Sequence, residues 1–499
     1  MVDVLNNVVY GFGVALQPLN LMYCFFGVLI GTLVGVLPGL GPAAAIALLL
    51  PTTFNFTPVA ATIMLAGIYY GAMYGGSTTS ILVNIPGEAA SVVTCLDGYQ
   101  MARKGRAGPA LGIAAFGSFI AGTIAVIALT FVGPFLADLA LAFGPPEYFS
   151  LMIVGIMVLT YLSGGSMIKA LMMAGIGVML SGVGMDTISG QYRFTFDLPS
   201  LLDGVGVVPV AMGLFGISEV LLNLETEMKR DILATKVKNI FPSLKDWSLS
   251  IWSIIRGSIL GFFLGIIPGG GAVIASFASY AIEKKMSKHP EEFGKGAIQG
   301  VAGPEAANNA GAGGSFIPLL TLGIPANPVM AILLGALMIH GLQPGPLLMN
   351  DVPDLFWGTI VSMYIGNAML LVLNLPLIPL WVKVLKVPYY LLYPLILLFC
   401  LIGAYSLENN SADMLTMLIF GILGFLMKKF HYDGAPMILA LVLGQKLETS
   451  LRRSLIMSHG DFSTFITRPI SLAFLIIALA LLIIPIVTQR RKLSQLEEG

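Results

Sequence analysis

Helix-breaking residues recur in the same order in both halves of this chain, inside sequence that is otherwise apolar. Residues 31–41 and 75–87 of the first half are matched by residues 261–271 and 313–326 of the second. Proline lacks the amide hydrogen that a helix needs, and glycine allows backbone conformations that other residues avoid. The chain must therefore fit two interruptions into each of its halves. The first pair of interruptions reads Pro38-Gly39-Leu40-Gly41 and Pro268-Gly269-Gly270-Gly271.

Composition places these interruptions in a membrane. The chain is 57% hydrophobic and 10% charged, with a mean hydropathy of +0.89, whereas soluble domains carry about 25% charged residues. Apolar stretches of about 20 residues, enough to cross a hydrocarbon core, recur along its length. We therefore predict an all-α polytopic membrane protein. Backbone that leaves the helix at membrane depth is tolerated only where protein or water satisfies it, so each interruption indicates a lined cavity.

Missing motifs and dispersed cysteines and histidines disfavour several classes of function. The formal net charge is zero and no basic cluster alternates with aromatic residues, so we expect no nucleic-acid partner. The three cysteines and four histidines are dispersed, which predicts neither a disulfide framework nor a metalloenzyme. The glycine blocks match no nucleotide-binding motif. We therefore expect no enzyme activity and no cofactor other than a coupling ion.

Basic residues predict the orientation of the loops, because cytoplasmic loops collect lysine and arginine. Loops predicted inside are residues 103–106, 229–245, 284–295, 383–386, 428–429 and 490–492. Loops without lysine or arginine, predicted outside, are residues 52–58, 133–147, 341–354 and 406–413. Spans predicted between the first two inside loops are residues 109–132, 147–163, 167–184 and 204–222. The topology of residues 435–470 and of the N-terminus stays open, since Arg452, Arg453 and Arg468 fall on the outside by parity.

The loop charges also predict two inverted-topology repeats. Residues 245–284 begin and end inside but are too few for two spans, which predicts a re-entrant hairpin with its tip at residues 268–271. The first repeat should carry its own hairpin, with the tip at residues 38–41. The loops that follow the two hairpins differ in charge, and the next pair of loops differs in the opposite sense. Opposite signs at matching positions are typical of inverted repeats.

Each repeat should also contain one broken transmembrane helix. Residues 59–97 and 297–340 must each cross an odd number of times, yet each is longer than one span. A single helix with unwound backbone at residues 75–86 or 311–325 fits both conditions. Helices that restart after a break direct free amides and about half a positive charge into the cavity, which suits an anion. The candidate substrate-binding residues are Pro38, Gly39, Gly41, Ser77, Thr78, Thr79, Pro86, Gly87, Gly269, Gly270, Gly271, Gly314, Ser315, Pro325 and Asn327.

Neutral oxygens and acids near the breaks indicate a coupling cation, either sodium or a proton. Hydroxyl, amide and carbonyl oxygens are the ligands that transporters use for sodium, and a carboxylate at membrane depth is costly enough to indicate function. Glu88 and Glu305 equally fit caps of half-helices or groups at a wet cavity mouth, whereas Asp97 is expected to be solvated. The pairs Gly31/Gly35 and Gly261/Gly265 are better explained by close helix packing. The candidate cation-coupling residues are Ser80, Asn84, Glu88, Glu305, Asn308 and Asn309.

The motifs together resemble the large membrane subunit of tripartite tricarboxylate transporters, the TctA family. The resemblance lies in GVLPGLGP at residues 35–42, YGGSTTS at 74–80, NIPGE at 84–88 and GPEAANN at 303–309. It implies a secondary transporter of the bacterial inner membrane that imports a citrate-like carboxylate on a cation gradient. It further implies two partners, a small membrane subunit and a periplasmic solute-binding protein. The family is similar in layout to tripartite dicarboxylate carriers, which implies an elevator mechanism.

We accordingly predict a division into a mobile transport core and a scaffold, with sodium-coupled import of a di- or tricarboxylate as the function. A proton-coupled carrier, a passive anion channel and a docking platform for a binding protein are the alternatives. Substrate identity and oligomeric state stay open. The predicted parts are an N-terminal segment at 1–19, transport core at 20–97 and 251–340, scaffold helices at 109–222 and 355–488, a cytoplasmic linker at 223–248 and a charged tail at 489–499.

Overall fold

A computed structural model describes most of the chain as α-helix. The described residues are 2–37, 41–162, 166–225, 239–269, 271–385, 389–408 and 410–497. The α-helices in these ranges are α1 Val2–Ala15, α2 Pro18–Val36, α3 Pro42–Leu49, α4 Pro58–Val83, α5 Val92–Arg103, α6 Ala107–Ala140, α7 Pro145–Leu162, α8 Met167–Ser181, α9 Val207–Ala211, α10 Ser218–Glu225, α11 Leu244–Ile266, α12 Gly271–Met286, α13 Gln299–Gly314, α14 Phe316–Leu322, α15 Pro328–Ile339, α16 Leu348–Asp351, α17 Pro353–Asn374, α18 Ile378–Val384, α19 Tyr389–Glu408, α20 Ser411–Lys429, α21 Ala435–Met457, α22 Thr464–Thr467 and α23 Pro469–Glu497.

Short elements join some of these helices. A π-helical segment, Met212–Ile217, connects α9 to α10 and makes them one apolar helix. Strands β1 (Gly184–Met185) and β2 (Tyr192–Arg193) form an antiparallel pair between α8 and α9. The 3₁₀ turns are Leu50–Thr53, Ala89–Ser91, Pro199–Leu201 and Pro290–Glu292.

The prediction of an all-α polytopic membrane protein is confirmed. Within the described residues, seven helices are long and apolar enough to cross a membrane. Helices α6, α7, α8 and the joined α9 and α10 occupy the positions of the spans predicted over residues 109–222. The candidate spans are Pro18–Val36, Pro58–Val83, Ala107–Ala140, Val207–Glu225, Leu244–Ile266, Pro353–Asn374 and Ser411–Lys429.

Both predicted hairpin tips lie between the end of one helix and the start of the next. Helix α11 ends at Ile266 and α12 begins at Gly271, and the two helices pack along each other. Gly269 has φ of 80°, in the left-handed region that favours glycine. In the first half α2 ends at Val36 and α3 begins at Pro42, and α3 packs more extensively on the π-helical segment than on α2. The predicted tip residues Pro38, Gly39 and Gly270 lie outside the described residues.

Glycine contacts confirm the packing role predicted for the two glycine pairs. A Cβ at Gly31 would lie 2.5 Å from the Ile68 carbonyl oxygen, and one at Gly261 would lie 2.2 Å from the Ala307 carbonyl oxygen. Helices α2 and α4 therefore approach at backbone contact distance, as α11 and α13 do. The same spacing occurs in both halves. Glycines in these rows on α2 and α11 are Gly27, Gly31, Gly35, Gly257, Gly261 and Gly265.

The unwound backbone is shorter than predicted. Helix α4 continues through residues 75–80 and ends at Val83, while α13 continues to Gly314. Glycines of α4 serve packing within a continuous helix, since a Cβ at Gly75 would lie 2.2 Å from the Thr32 carbonyl oxygen. The prediction that unwinding begins at residues 75 and 311 is therefore wrong. Ser77, Thr78, Thr79 and Ser80 consequently lie on helix.

Non-helical backbone occupies residues 84–88, which we term break 1, and residues 323–327, which we term break 2. Each begins with a residue in the left-handed region, Asn84 with φ of 59° and Gly323 with φ of 67°. Each then carries an Ile-Pro pair. The matching order of helix end, left-handed residue and proline gives the two halves the same local design.

Candidate functional site

Break 1 is held by its own backbone and by α2. Glu88 caps the 3₁₀ turn at Ala89–Ser91, where its Oε2 accepts a 2.6 Å hydrogen bond from the Ala90 amide. A Cβ at Gly87 would lie only 1.9 Å from the Gly35 carbonyl oxygen, so only glycine fits there. The second carboxylate oxygen of Glu88, Oε1, is buried without a hydrogen-bond partner in the described part of the chain. The cap predicted as one alternative is therefore present, and one acceptor is left over.

Break 2 contacts both the second hairpin and α4. The amide of Gly269, at the hairpin tip, donates a 2.7 Å hydrogen bond to the carbonyl oxygen of Ala326. Asn327 caps α15 by accepting a 3.0 Å bond from the Met330 amide. Its Nδ2 donates to the hydroxyl of Tyr69 on α4 at 3.1 Å. Break 2 thus joins the hairpin of one half to a helix of the other half.

Glu305 lies at the centre of a buried polar network. Its side chain is fully buried on α13. Its Oε2 accepts hydrogen bonds from Ser77 Oγ at 2.6 Å and from Asn308 Nδ2 at 3.2 Å. Its Oε1 accepts from the hydroxyl of Thr94 on α5. All three donors are neutral, so the hydrogen bonds orient the carboxylate without compensating its charge.

Asn309 extends this network to α6. Its Nδ2 donates to Ser118 Oγ at 2.7 Å, to Asn308 Oδ1 at 2.6 Å and to the Glu305 carbonyl oxygen at 3.0 Å. The structure therefore brings together Ser77, Glu305, Asn308 and Asn309, which the sequence assigned to two separate roles.

Other predicted residues make local structural contacts. Thr79 donates to the Val36 carbonyl oxygen at 2.7 Å, and Ser80 donates to that of Ser91 at 3.0 Å. Ser315 donates to Ala312 at 2.7 Å, and Gly314 packs against the backbone of α11. Gly41 is the N-cap residue of α3. The hydrogens of these hydroxyl groups point to neighbouring carbonyl oxygens.

Two cavities differ strongly in size. The smaller, of about 10 Å³, lies between α4, α6 and α17 and is polar at Ser77, Thr78, Ser118 and Asn374. The larger, of about 390 Å³, is an open cleft beside the β1 and β2 pair. Residues from two loops predicted outside, Phe54 and Asp413, are part of its lining.

Ion pairs close one wall of the larger cleft. Arg193 forms a two-pronged pair with Glu448, at 2.7 and 3.0 Å. Arg452 bonds to Asp186 at 2.7 Å and to Glu448 at 3.2 Å. The hydrogen bonds from Arg452 and Ser189 hold the pKa of Asp186 well below its usual range. Arg452 falls on the outside by parity, against the rule that basic residues collect in cytoplasmic loops. Its ion pairs with Asp186 and Glu448 give it a structural role.

Sequence reasoning missed several buried partners. Asp97 was expected to be solvated, but it is fully buried and its Oδ1 accepts three backbone amide bonds, from Gly294 at 2.9 Å, Gly296 at 2.7 Å and Ala297 at 2.8 Å. The loop amides replace water around this carboxylate, which no local pattern in the sequence indicates.

An ion pair between α11 and α12, in which only the carboxylate is buried, was also missed. Arg256 on α11 donates to Glu283 on α12, through Nε at 2.8 Å and the terminal nitrogen at 2.6 Å. Ser253 adds a 2.5 Å bond to the same carboxylate. An arginine within an apolar helix was the available signal, because such a residue needs a partner.

Comparison with known proteins agrees with the helical architecture. The family model described as the tripartite tricarboxylate transporter TctA family matches residues 21–439. An uncharacterised 52.8 kDa protein in the TAR-I ttuC′ 3′ region of Agrobacterium vitis is 53% identical over 491 residues, 98% of each chain. An uncharacterised protein in the TAR-II ttuC′ 3′ region of the same organism is 52% identical over 234 residues, 46% of this chain and 97% of the relative. No solved structure matches the chain.

Proposed function

Because this chain belongs to the tripartite tricarboxylate transporter TctA family, we propose that it imports an organic di- or tricarboxylate by sodium-coupled secondary transport. It would act in the bacterial inner membrane, with a small membrane subunit and a periplasmic solute-binding protein as the other two parts of the system. A tripartite system implies partner subunits, and the apolar helices make the chain a multi-pass membrane protein.

The observation that best supports cation coupling is the negative charge of Glu305, which its neutral hydrogen-bond donors do not compensate. This carboxylate is fully buried, and its hydrogen-bond donors Ser77, Thr94 and Asn308 are all neutral. A buried carboxylate without a positive partner is strongly disfavoured, so a cation or a proton must accompany it for part of the transport cycle. The unpartnered Oε1 of Glu88 supports the same inference.

The substrate anion is proposed to bind at the two breaks and the hairpin tips. Helix α15 begins directly after break 2, so the positive end of its dipole would favour a carboxylate there. Asn327 and the Gly269 to Ala326 bond keep the hairpin tip beside that helix end. Ile-Pro pairs at both breaks provide the same backbone shape from each half of the chain.

The inverted repeat and the elevator movement belong to this proposal as well. Support comes from the matched glycine rows, which pack α2 on α4 and α11 on α13 with the same spacing. Support also comes from break 2, whose bond to the hairpin tip would let both move as one body. Under this division, α4 and α13 belong to the transport core, whereas α6 and α17 belong to the scaffold.

Uptake by the complete system tests the function. The chain is reconstituted in proteoliposomes with its small subunit and binding protein, and uptake of labelled citrate and a panel of other carboxylates is measured. We expect saturable uptake of at least one di- or tricarboxylate that requires an inward sodium gradient. Equal uptake on a pH gradient without sodium would replace sodium by a proton. Non-saturable flux that ignores both gradients would identify a passive channel and overturn the proposal.

A further inference from the structure

We propose that the coupling sodium ion binds in the small cavity between α4, α6 and α17, with Ser77, Thr78, Ser118 and Asn374 as its ligands. This inference rests on the sodium-coupled function proposed above and gives that function a specific site. The sequence predicted Ser77 and Thr78 as substrate-binding residues, and it assigned no role to Ser118 and Asn374.

One of the residues that line the cavity, Asn374, carries an oxygen without a partner among the described residues. Asn374 is 4% exposed, and its Nδ2 donates to the Leu370 carbonyl oxygen at 2.9 Å. Its Oδ1 is buried and has no hydrogen-bond partner among the described residues. A buried amide oxygen without a partner is costly, so an occupant of the cavity that accepts its lone pair would stabilise this arrangement.

Hydroxyl groups supply the remaining oxygens. Thr78 is 3% exposed and makes no side-chain hydrogen bond to a described residue. Ser118 Oγ accepts from Asn309, and Ser77 Oγ donates to Glu305. Each of these hydroxyl oxygens has two lone pairs, so it can bind a cation in addition to its present bond. Neutral oxygens of this kind are the ligands that sodium uses in transporters.

The size of the cavity limits which species can bind in it. A volume of about 10 Å³ is the space that one water molecule needs, about 10–15 Å³. The cavity is therefore too small for a carboxylate substrate or a hydrated ion. One dehydrated monovalent cation or one water molecule fits, and the experiment below distinguishes the two.

Charge favours the cation over water. Among the residues that the structure describes, no acidic or basic side chain lines the cavity, but Ser77 connects it directly to the carboxylate of Glu305 through a 2.6 Å bond. Asn309 provides a second connection, from Ser118 to the backbone of Glu305. A cation held by neutral ligands would be stabilised by this buried negative charge, because the interaction is strong where water is excluded. The same cation would supply the compensation that Glu305 lacks.

The ligands of the proposed site lie on both the transport core and the scaffold. Thr78 and Ser77 lie on α4, in the proposed transport core, whereas Ser118 and Asn374 lie on α6 and α17, in the proposed scaffold. An ion with ligands on both parts would hold them in the conformation described here. Sodium is therefore expected to stabilise this conformation and to be released when the two parts separate.

Thermal unfolding of the purified full chain tests the site in sodium, potassium and choline chloride at constant ionic strength. We expect sodium alone to raise the unfolding midpoint. Thr78→Val and Asn374→Leu should raise the half-saturating sodium concentration about tenfold or more, the range typical of an altered metal site. Asn374→Asp keeps an oxygen ligand and should keep the sodium response. A response in this variant would show that a change at residue 374 does not by itself prevent folding.

The matched control is Thr359→Val, which removes from α17, away from the cavity, a buried hydroxyl that has no partner in the described ranges. It should bind sodium like the unchanged protein. An unchanged half-saturating concentration in both Thr78→Val and Asn374→Leu would overturn the site and leave a water molecule as its occupant. If the unchanged protein still shows sodium-driven uptake in that case, the proposed function stands. Absence of uptake on any gradient would instead overturn the function.

Discussion

Ser77 on α4 donates a 2.6 Å hydrogen bond to the carboxylate of Glu305 on α13, and this bond joins the two halves of the chain. Thr94 on α5 reinforces the connection from the first half. The buried acid of this network therefore receives two donors from the first half while it is carried by the second. A change in the charge of Glu305 should therefore affect both halves of the chain.

Glu305→Gln tests whether this charge serves the coupling ion. Glutamine keeps the size of the side chain and one acceptor oxygen, so the helices should still pack. Loss of the negative charge should weaken the binding of sodium and raise its half-saturating concentration in uptake assays by about tenfold or more. Proton-driven uptake, if it occurs, should be lost completely.

Ser258→Ala is the control for this variant, because it removes another buried hydrogen-bonding group but leaves the charge unchanged. A sodium dependence that is the same in Glu305→Gln as in the unchanged protein would contradict the role of the carboxylate.

Gly261→Ala should destabilise the second half of the chain. Its new Cβ would lie 2.2 Å from the Ala307 carbonyl oxygen, so α11 and α13 would have to separate. Overpacking of this kind costs about 1–3 kcal/mol, and the thermal unfolding midpoint should fall. Gly13→Ala is the control, because no atom lies within 4 Å of a Cβ at that position. A midpoint for Gly261→Ala equal to that of the control would contradict the close packing.

The glycine rows show which features the sequence could predict. Regular spacing within an apolar helix indicates close packing, and the repetition of Gly31 and Gly35 by Gly261 and Gly265 predicted two matching helix pairs. The helix ends at Val36 and Ile266 were predicted for a similar reason, since proline and glycine act locally. Helices over residues 109–222 followed from hydropathy and length, and of these α6 and the joined α9 and α10 are long enough to cross a membrane. These features depend on neighbours in sequence, so the sequence was sufficient to predict them.

Features that depend on distant partners were not predicted. Gly75 and Gly76 are compatible with either a helix or a break, and contact with α2 decides in favour of the helix. Asp97 is buried because amides from residues 294–297 surround its carboxylate. Likewise, the cavity beside Asn374 forms only where α4, α6 and α17 meet.

The pair of Asp186 and Arg452 should make stability depend on pH. The hydrogen bond from Arg452 lowers the pKa of Asp186 in the folded state, so the stabilisation is complete above the unfolded value of about 3.9. It is lost as the pH falls below that value toward the lower folded pKa. We expect Asp186→Asn to lower the unfolding midpoint at pH 7 and this difference to shrink below about pH 4.

Asp203→Asn is the matched control, because Asp203 lines the same cleft but forms no ion pair within the described residues. It should leave the midpoint nearly unchanged at pH 7. A difference between Asp186→Asn and the unchanged protein that stays constant down to pH 3 would show that the charge of Asp186 contributes nothing.

Asn327→Asp tests whether the substrate anion binds at break 2. Aspartate can still accept the bond from the Met330 amide, so the cap of α15 should persist. Its negative charge would repel a carboxylate near that helix end, and we expect KM for the substrate to rise about tenfold or more with little change in the unfolding midpoint. Asn410→Asp places the same change at the N-cap of α20 and should leave KM unaltered. Equal KM values for the two variants would exclude break 2 from the substrate site, whereas a lower midpoint for Asn327→Asp alone would assign Asn327 a structural role.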